Sequence, residues 1–322
     1  PVVDERFRAM GSSCRIVAHG PGIDPTTIRQ RVGDLEQAWS RFRPDSQISR
    51  LNRADGAPVL VSPDVVRLFT VAAEAVRLSD GWFDPSMLGE LEALGYDRSH
   101  ERLTAPGRHP SPAPSASVET SRRPVPIEVD PVAASTDAIV VDSVLGAVVL
   151  PAGVTVDPGG LGKGLAADLV VENAMDGTSG ATDPTTSMML DLGGDLRMVG
   201  SWVDGGRWPV RVADPLDPTR DLLEIRVGGG GVATSSRCRR RWAGPDGRVH
   251  HHILDPRSGR PVPSDLLAVT VHASRAWVAD VLAKSALVAG RHLAVELLER
   301  TGVGAVLVDE LGTVTTVGPV DP

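Results

Sequence analysis

Three observations predict an α+β fold for this chain of 322 residues. Strand-like stretches come in runs, and helical stretches stand between the runs instead of alternating with single strands. No repeat of fixed period runs through the sequence, which sets solenoids and propellers aside. Hydrophobic residues make up 41% and aromatics only 3%, so a sizeable core must be built from Val, Leu, Ala and Ile.

The elements follow in order. Residues 5–20, ERFRAMGSSCRIVAHG, read as a strand broken at Gly11. Residues 24–43 open on an N-cap, Asp24, with Pro25 just inside; Ile28, Val32, Leu35, Ala38 and Trp39 then recur at helical spacing. RPDSQISRLNRADG is polar and turn-rich. Residues 62–81 form a helix capped by Ser62, entered by Pro63 and closed by Gly81. Residues 104–126 hold many Pro and Ser and few large apolar groups, the composition of a surface spacer. AIVVDSVLGAVVLP and TVDPGG read as strands, and GLGKGLAADLVVENAM as a Gly-rich turn entering a helix. TSMMLDLGGDLRMVG is a strand ending in a Gly-Gly-Asp turn, and WPVRVADP, LLEIRVGGGGVATSS and AVTVHAS are further strands. RAWVADVLAKSALVAG is an amphipathic helix ending at Gly290, RHLAVELLERTG another, and VGAVLVDELGTVTTVG a hairpin.

The formal charge of -8 and a pI near 5.5 argue against bulk binding to nucleic acid or an anionic membrane surface. A local basic pocket stays open. No stretch of 18 apolar residues offers a membrane span, and the charged start PVVDERFRAM lacks a signal-peptide core. A cytoplasmic protein is expected, one whose start at Pro1 suggests that an upstream segment was removed. Cys14 and Cys238 make neither a disulfide framework nor a zinc motif.

Lysine usage is the compositional oddity. Lys163 and Lys284 are the only lysines, and arginine carries the other basic charge. Only Lys offers a compact ammonium with a movable pKa, so these two mark places where Arg does not serve.

Four constellations carry candidate chemistry. In VDPGGLGKGLAADL, Gly159, Gly160, Gly162 and Gly164 precede and open a helix beside Lys163. Backbone N–H groups and a helix N-terminus suit an anion there, a reading favoured over a plain strand-to-helix turn because Lys163 is one of only two lysines. The spacing is neither G-x-G-x-x-G nor a P-loop. In LDLGGDLRMVG, Gly193 and Gly194 allow close approach ahead of Asp195, as a plain turn would also require. In RVHHHILDPRSGRP, strand alternation puts His250 and His252 on one face and His251 on the other, too few converging ligands for zinc. A neutral imidazole there suits acid–base work. Asp280 and Lys284, at i and i+4, share one face of an otherwise apolar helix. They form either a surface ion pair or a partly buried pair facing a polyphosphate or its metal.

In this order, AMGSSCRI, WSRFRPDSQISRLN, GWFDPSMLGELEALGYDRS, VDPGGLGKGLAADL, LDLGGDLRMVG, VATSS, HHILDPRSGRP and ADVLAKSALV resemble the ApbE-like FAD:protein FMN transferase family. The resemblance implies a tunnelling-fold α+β core in a single domain over 1–322. It implies FAD as ligand, magnesium at the pyrophosphate, and transfer of FMN to a Thr or Ser hydroxyl of an acceptor flavoprotein with release of AMP. FAD hydrolysis to FMN and AMP, or FAD binding without turnover, are the alternatives. Matched residue by residue, Met10, Phe42, Trp82, Phe83, Asp84, Asp157, Gly160, Lys163, Ser235 and Ile253 fall on cofactor-binding positions. His252, Asp280 and Lys284 fall on catalytic ones, with His252 taking the hydroxyl proton, assisted by Asp255 or Asp280. The family's metal helix reads D-x-x-A-D-x-x-x-T. Asp280 matches its second Asp, Trp277 is assigned to the first, and Lys284 stands where Thr would be. Magnesium would therefore rest on Asp280, the Gly160 carbonyl and phosphate oxygens. Alternatively Lys284 supplies part of the metal's charge, a reading favoured because an ammonium repels Mg²⁺.

Overall fold

The computed structural model describes residues 2–99, 103, 138–176, 186–203, 205–217 and 219–321. The Pro- and Ser-rich stretch 104–126 lies outside them. Strands β1 Val2–Ala9 and β2 Ser12–His19 precede helices α1 Pro25–Trp39 and α2 Gln47–Asn52. Then come β3 Val59–Leu60, α3 Pro63–Leu78, α4 Leu88–Ala93, β4 Val140–Asp142, β5 Ala147–Val149 and α5 Gly162–Asp176. A run of strands follows: β6 Ser187–Leu192, β7 Leu196–Val199, β8 Trp208–Ala213, β9 Asp221–Val227 and β10 Gly230–Ser236. It continues through β11 Arg241–Ala243, β12 Val249–His251, β13 Leu254–Asp255, β14 Arg260–Pro261 and β15 Leu266–Ala273. Helices α6 Ala276–Ala289 and α7 Arg291–Thr301 and strands β16 Gly304–Asp309 and β17 Val314–Val317 complete the order.

The main sheet runs β1-β2-β6-β7-β10-β15-β16-β17, and every neighbouring pair is antiparallel. Helices and a large antiparallel sheet together bear out the α+β expectation. Among the described residues, no helix is long and apolar enough to cross a membrane.

The local chemistry explains several boundaries. Asp24 caps α1 by accepting from the Thr26 and Thr27 N–H groups. Ser62 holds the N-cap backbone position of α3, but its hydroxyl accepts from Gln47 Nε2 and does not cap the helix. The stretch expected to be turns holds α2, capped by Ser46. TVDPGG is not a strand: Pro158–Gly160 is a single 3₁₀ turn capped by Asp157.

Helix α6 was expected to be amphipathic. It is instead buried on nearly every side. It packs on β10 and β15, with α5 and α7 as further neighbours. An all-round apolar helix belongs in a core. Its Ala276, Trp277 and Val281 join the cluster built on α1, α3 and β6, and its Leu282, Ala286 and Leu287 join the cluster under β15 and β16. The helix is thus the seam between two cores, and Asp280 and Lys284 sit on that seam.

The start of α6 is held from a distance. Arg275 gives no side-chain cap, and Asp168 of α5 accepts from Ala276 N at 3.0 Å and Trp277 N at 2.9 Å. Asp168 is also 3.2 Å from Arg197 Nε. Gly164 permits the close approach of the two helices: a Cβ there would lie 2.7 Å from the Ala276 carbonyl oxygen. Asp168→Ala should strand two buried N–H groups and a guanidinium. The expected loss of about 3 kcal/mol is measurable from the urea unfolding midpoint.

Candidate active site

A cleft of about 910 Å³ opens where the β1–β2 turn, the end of α1, the segment before α4 and the loop before α5 meet the middle of α6 at Lys284. That volume suits a cofactor-sized ligand. Met10, Phe42, Trp82, Phe83, Asp84, Asp157, Gly160, Lys163, His252 and Lys284 all line it. Both lysines of the chain therefore face one cavity. Arg8, Arg41, Arg43, Arg53, Arg98 and Arg240 line it too, against Glu36, Asp84, Asp97 and Asp157. An acidic chain has gathered cations at a single place, an arrangement that focuses anions.

The loop before α5 is braced from below. Asn52 clamps Val156 reciprocally, with both bonds at 2.9 Å, and Asp157 N donates to the Pro85 carbonyl at 2.8 Å. Asp157 Oδ1 accepts from Gly159 N, while Oδ2 lies 3.1 Å from Arg41 Nε. Gly160 must be glycine, because a Cβ would lie 2.8 Å from the Phe83 ring. The first-turn N–H groups of α5 lack partners inside the helix and suit an anion. Lys163, in that turn, is ion-paired with Asp195, which follows the Gly193–Gly194 turn. Burial draws the Lys163 ammonium down to about 8; Asp280 favours the charge, and Arg240 and Lys284 oppose it.

Aromatic groups form a shelf on one side. The Arg41 guanidinium lies 4.1 Å from the Phe42 ring centroid and 4.8 Å from that of Tyr96, which stacks on Trp242 at 4.9 Å. Arg257 sits 3.8 Å over the Trp82 ring. Met10 and Arg240 hold left-handed backbones, φ 49° and 50°. Non-glycine residues rarely do so without a local reason.

The three histidines separate. Strand β12 stops at His251, so alternation does not carry through to His252. His250 Nε2 pairs with Asp246 Oδ1 at 2.8 Å. His251 accepts weakly from Ile253 N, and burial lowers its pKa to about 4. His252 alone reaches the cleft. Burial, then the charges of Arg240 and Lys284, press its pKa well below the ordinary value, and its Nδ1 has no partner among the described residues.

Three expectations shift. Ile253 does not line the cleft: its side chain is in the core, and its N–H and carbonyl are spent on His251 and Val262. Ser235 is likewise away from the cleft, buried in β10 opposite Val269. Asp280 is buried and touches the cleft only through Lys284, whose Nζ donates to Gly160 O at 2.8 Å and Asp280 Oδ1 at 3.1 Å. One helical turn before Asp280 stands Ala276 rather than Trp277, and neither offers a side-chain oxygen. The described residues contain no group of three or more His, Cys, Asp or Glu placed to hold a metal. The Gly160 carbonyl and Asp280 Oδ1 are already bonded to the Lys284 ammonium, while Asp280 Oδ2 is buried without a partner among the described residues.

Sequence reasoning missed Trp39, Tyr96 and Arg240 as cleft residues, and gave Asp195 only as the residue after a Gly-Gly turn, without its ion pair to Lys163. Trp39 lines the cleft with an unpaired buried indole N–H, a donor left for a ligand. Its helical spacing marked it only as core. Cys14 is no nucleophile, since burial pushes its thiol up to about 11.

The model of the ApbE family matches residues 10–307. An FAD:protein FMN transferase of Treponema pallidum is 28% identical over 318 residues, covering 93% of this chain and 82% of that protein. One of Haemophilus influenzae is 22% identical over 284 residues, covering 87% and 77%. The crystal structure of an ApbE protein from Thermotoga maritima superposes with a TM-score of 0.79 at 26% identity, covering 98% of this chain and 97% of that one. With the family's model spanning residues 10–307, and so every residue that lines the cleft except Arg8 and Ala9, the chain belongs to the ApbE family.

Proposed function

We propose that this chain is an FAD:protein FMN transferase. FAD lies in the cleft with its pyrophosphate at the loop before α5. A Thr or Ser hydroxyl of an acceptor flavoprotein attacks the FMN phosphorus, the bond from that phosphorus to the bridging oxygen breaks, and AMP leaves. The hydroxyl proton passes to His252. The tunnelling-fold class belongs to the same reading.

One observation carries it: both lysines of the chain line the same cleft as a partly buried, neutral imidazole whose Nδ1 is unpaired among the described residues. Phosphoryl transfer needs mainly positioning and charge neutralisation, which Lys163, Lys284 and the helix N-terminus would supply. His252 is neutral with Nδ1 unpaired, and the negative charge of a bound pyrophosphate would offset the cations that oppose its protonation. Phe42, whose ring stays exposed at the cleft, suits contact with a planar ring.

The test is chromatography of AMP after incubation with FAD and a candidate acceptor. AMP should accumulate beyond one equivalent of enzyme. Tight FAD binding without AMP would contradict turnover and leave a flavin-binding protein.

A further inference from the structure

We propose that the Lys284 ammonium is the resident cation of the pyrophosphate site, and that this chain binds and cleaves FAD without a divalent metal. The inference rests on the reading of the cleft as an FAD site.

Lys284 Nζ takes the Gly160 carbonyl at 2.8 Å and Asp280 Oδ1 at 3.1 Å. Those are two of the three protein oxygens that a hard cation could claim at this seam; the third, Asp280 Oδ2, is buried without a partner among the described residues. The ammonium holds both, so it occupies the position rather than sitting beside it. Its side chain is 16% exposed and that of Asp280 6%, so solvent screens the pair little. The neighbours are shaped around it, since a Cβ on Gly160 would come within 3.2 Å of Nζ.

An arriving Mg²⁺ would meet a positive charge a few Å away, and repulsion at that range is large in a poorly screened site. Its protein ligands would also be few: Ala276 and Trp277, on the preceding turn of α6, bring no side-chain oxygen, so waters and phosphate oxygens would have to complete the octahedron. An ammonium has three N–H donors. Two are spent on Gly160 and Asp280, which leaves one for a phosphate oxygen. Lys163 and Arg240 line the same cleft and add the remaining positive charge. Asp280 is thereby a positioning residue that fixes the ammonium.

The test uses protein freed of metal by a chelator. FAD affinity is read by flavin fluorescence and turnover by AMP release, each in EDTA and in excess Mg²⁺. Wild type should agree between the two conditions within about twofold in both readouts, because the cation is part of the chain. Lys284→Met, nearly isosteric, should weaken FAD binding in EDTA by about tenfold or more. A wild-type FAD affinity or turnover that collapses in EDTA and returns with Mg²⁺ overturns the inference. So does a Lys284→Met protein that binds FAD as wild type does in EDTA. If no AMP appears under either condition, the transferase reading fails, and the affinity comparison still decides the cation. If Lys284→Met does not fold, the wild-type comparison decides alone.

Discussion

Lys163→Met should lower kcat/KM for FAD cleavage by about 10²- to 10³-fold, the usual cost of removing one fixed charge aimed at a developing oxyanion. Lys163 stands in the first turn of α5, where unpaired backbone N–H groups already favour negative charge. Its ion pair with Asp195 fixes the ammonium at the cleft wall, and burial leaves the charge poorly screened. The substitution keeps the length and apolar body of the side chain but leaves the buried Asp195 carboxylate without its partner, so the unfolding midpoint is measured beside turnover and FAD affinity to separate the two losses. The pH dependence follows from the same burial. A pKa near 8 keeps Lys163 charged at neutral pH, and the charge is lost as pH rises through that value. kcat/KM, which reports the free enzyme, should therefore fall above about pH 8. Lys163→Arg should move that limb upward, because a guanidinium stays charged. A rate within a few-fold of wild type for Lys163→Met would remove this residue from the pyrophosphate site.

His252→Ala should reduce transfer to a hydroxyl acceptor by about 10²- to 10⁴-fold at pH 7, the range for loss of a general base. The imidazole is partly buried among Arg240, Lys284 and Lys163, all of which oppose its protonation. A base whose pKa is pushed down stays neutral as pH falls through 6.5. The acidic limb of kcat/KM should accordingly lie well below pH 6.5. A limb centred on 6.5, abolished by His252→Ala, would show an exposed histidine of ordinary pKa and contradict the burial. Unchanged transfer at pH 7 would remove His252 from the proton's path.

Much of this site was legible because its signals are local. Lys163 and Lys284 stood out by scarcity alone, and both line the cleft. The spacing of Asp280 and Lys284 gave their shared face directly. What escaped the sequence depends on distant chain or on backbone conformation. Asp168 caps a helix more than a hundred residues away, so no window around Arg275 reveals the cap. Arg240 reaches the cleft through a left-handed backbone that its residue type does not announce. Tertiary context also changed the meaning of correct motifs. Gly164 belongs to the Gly-rich stretch, yet its bare Cα serves the contact between α5 and α6. The Asp–Lys face proved to be a buried seam because a sheet, α5 and α7 enclose α6, which periodicity within one helix does not record.

The intact mass of an acceptor flavoprotein after incubation with FAD and this chain tests the account most directly. The account predicts a gain of one FMN on a Thr or Ser, with one AMP released for each acceptor modified. An unmodified acceptor, with FMN and AMP both free in solution, would contradict it and make water the nucleophile of this cleft.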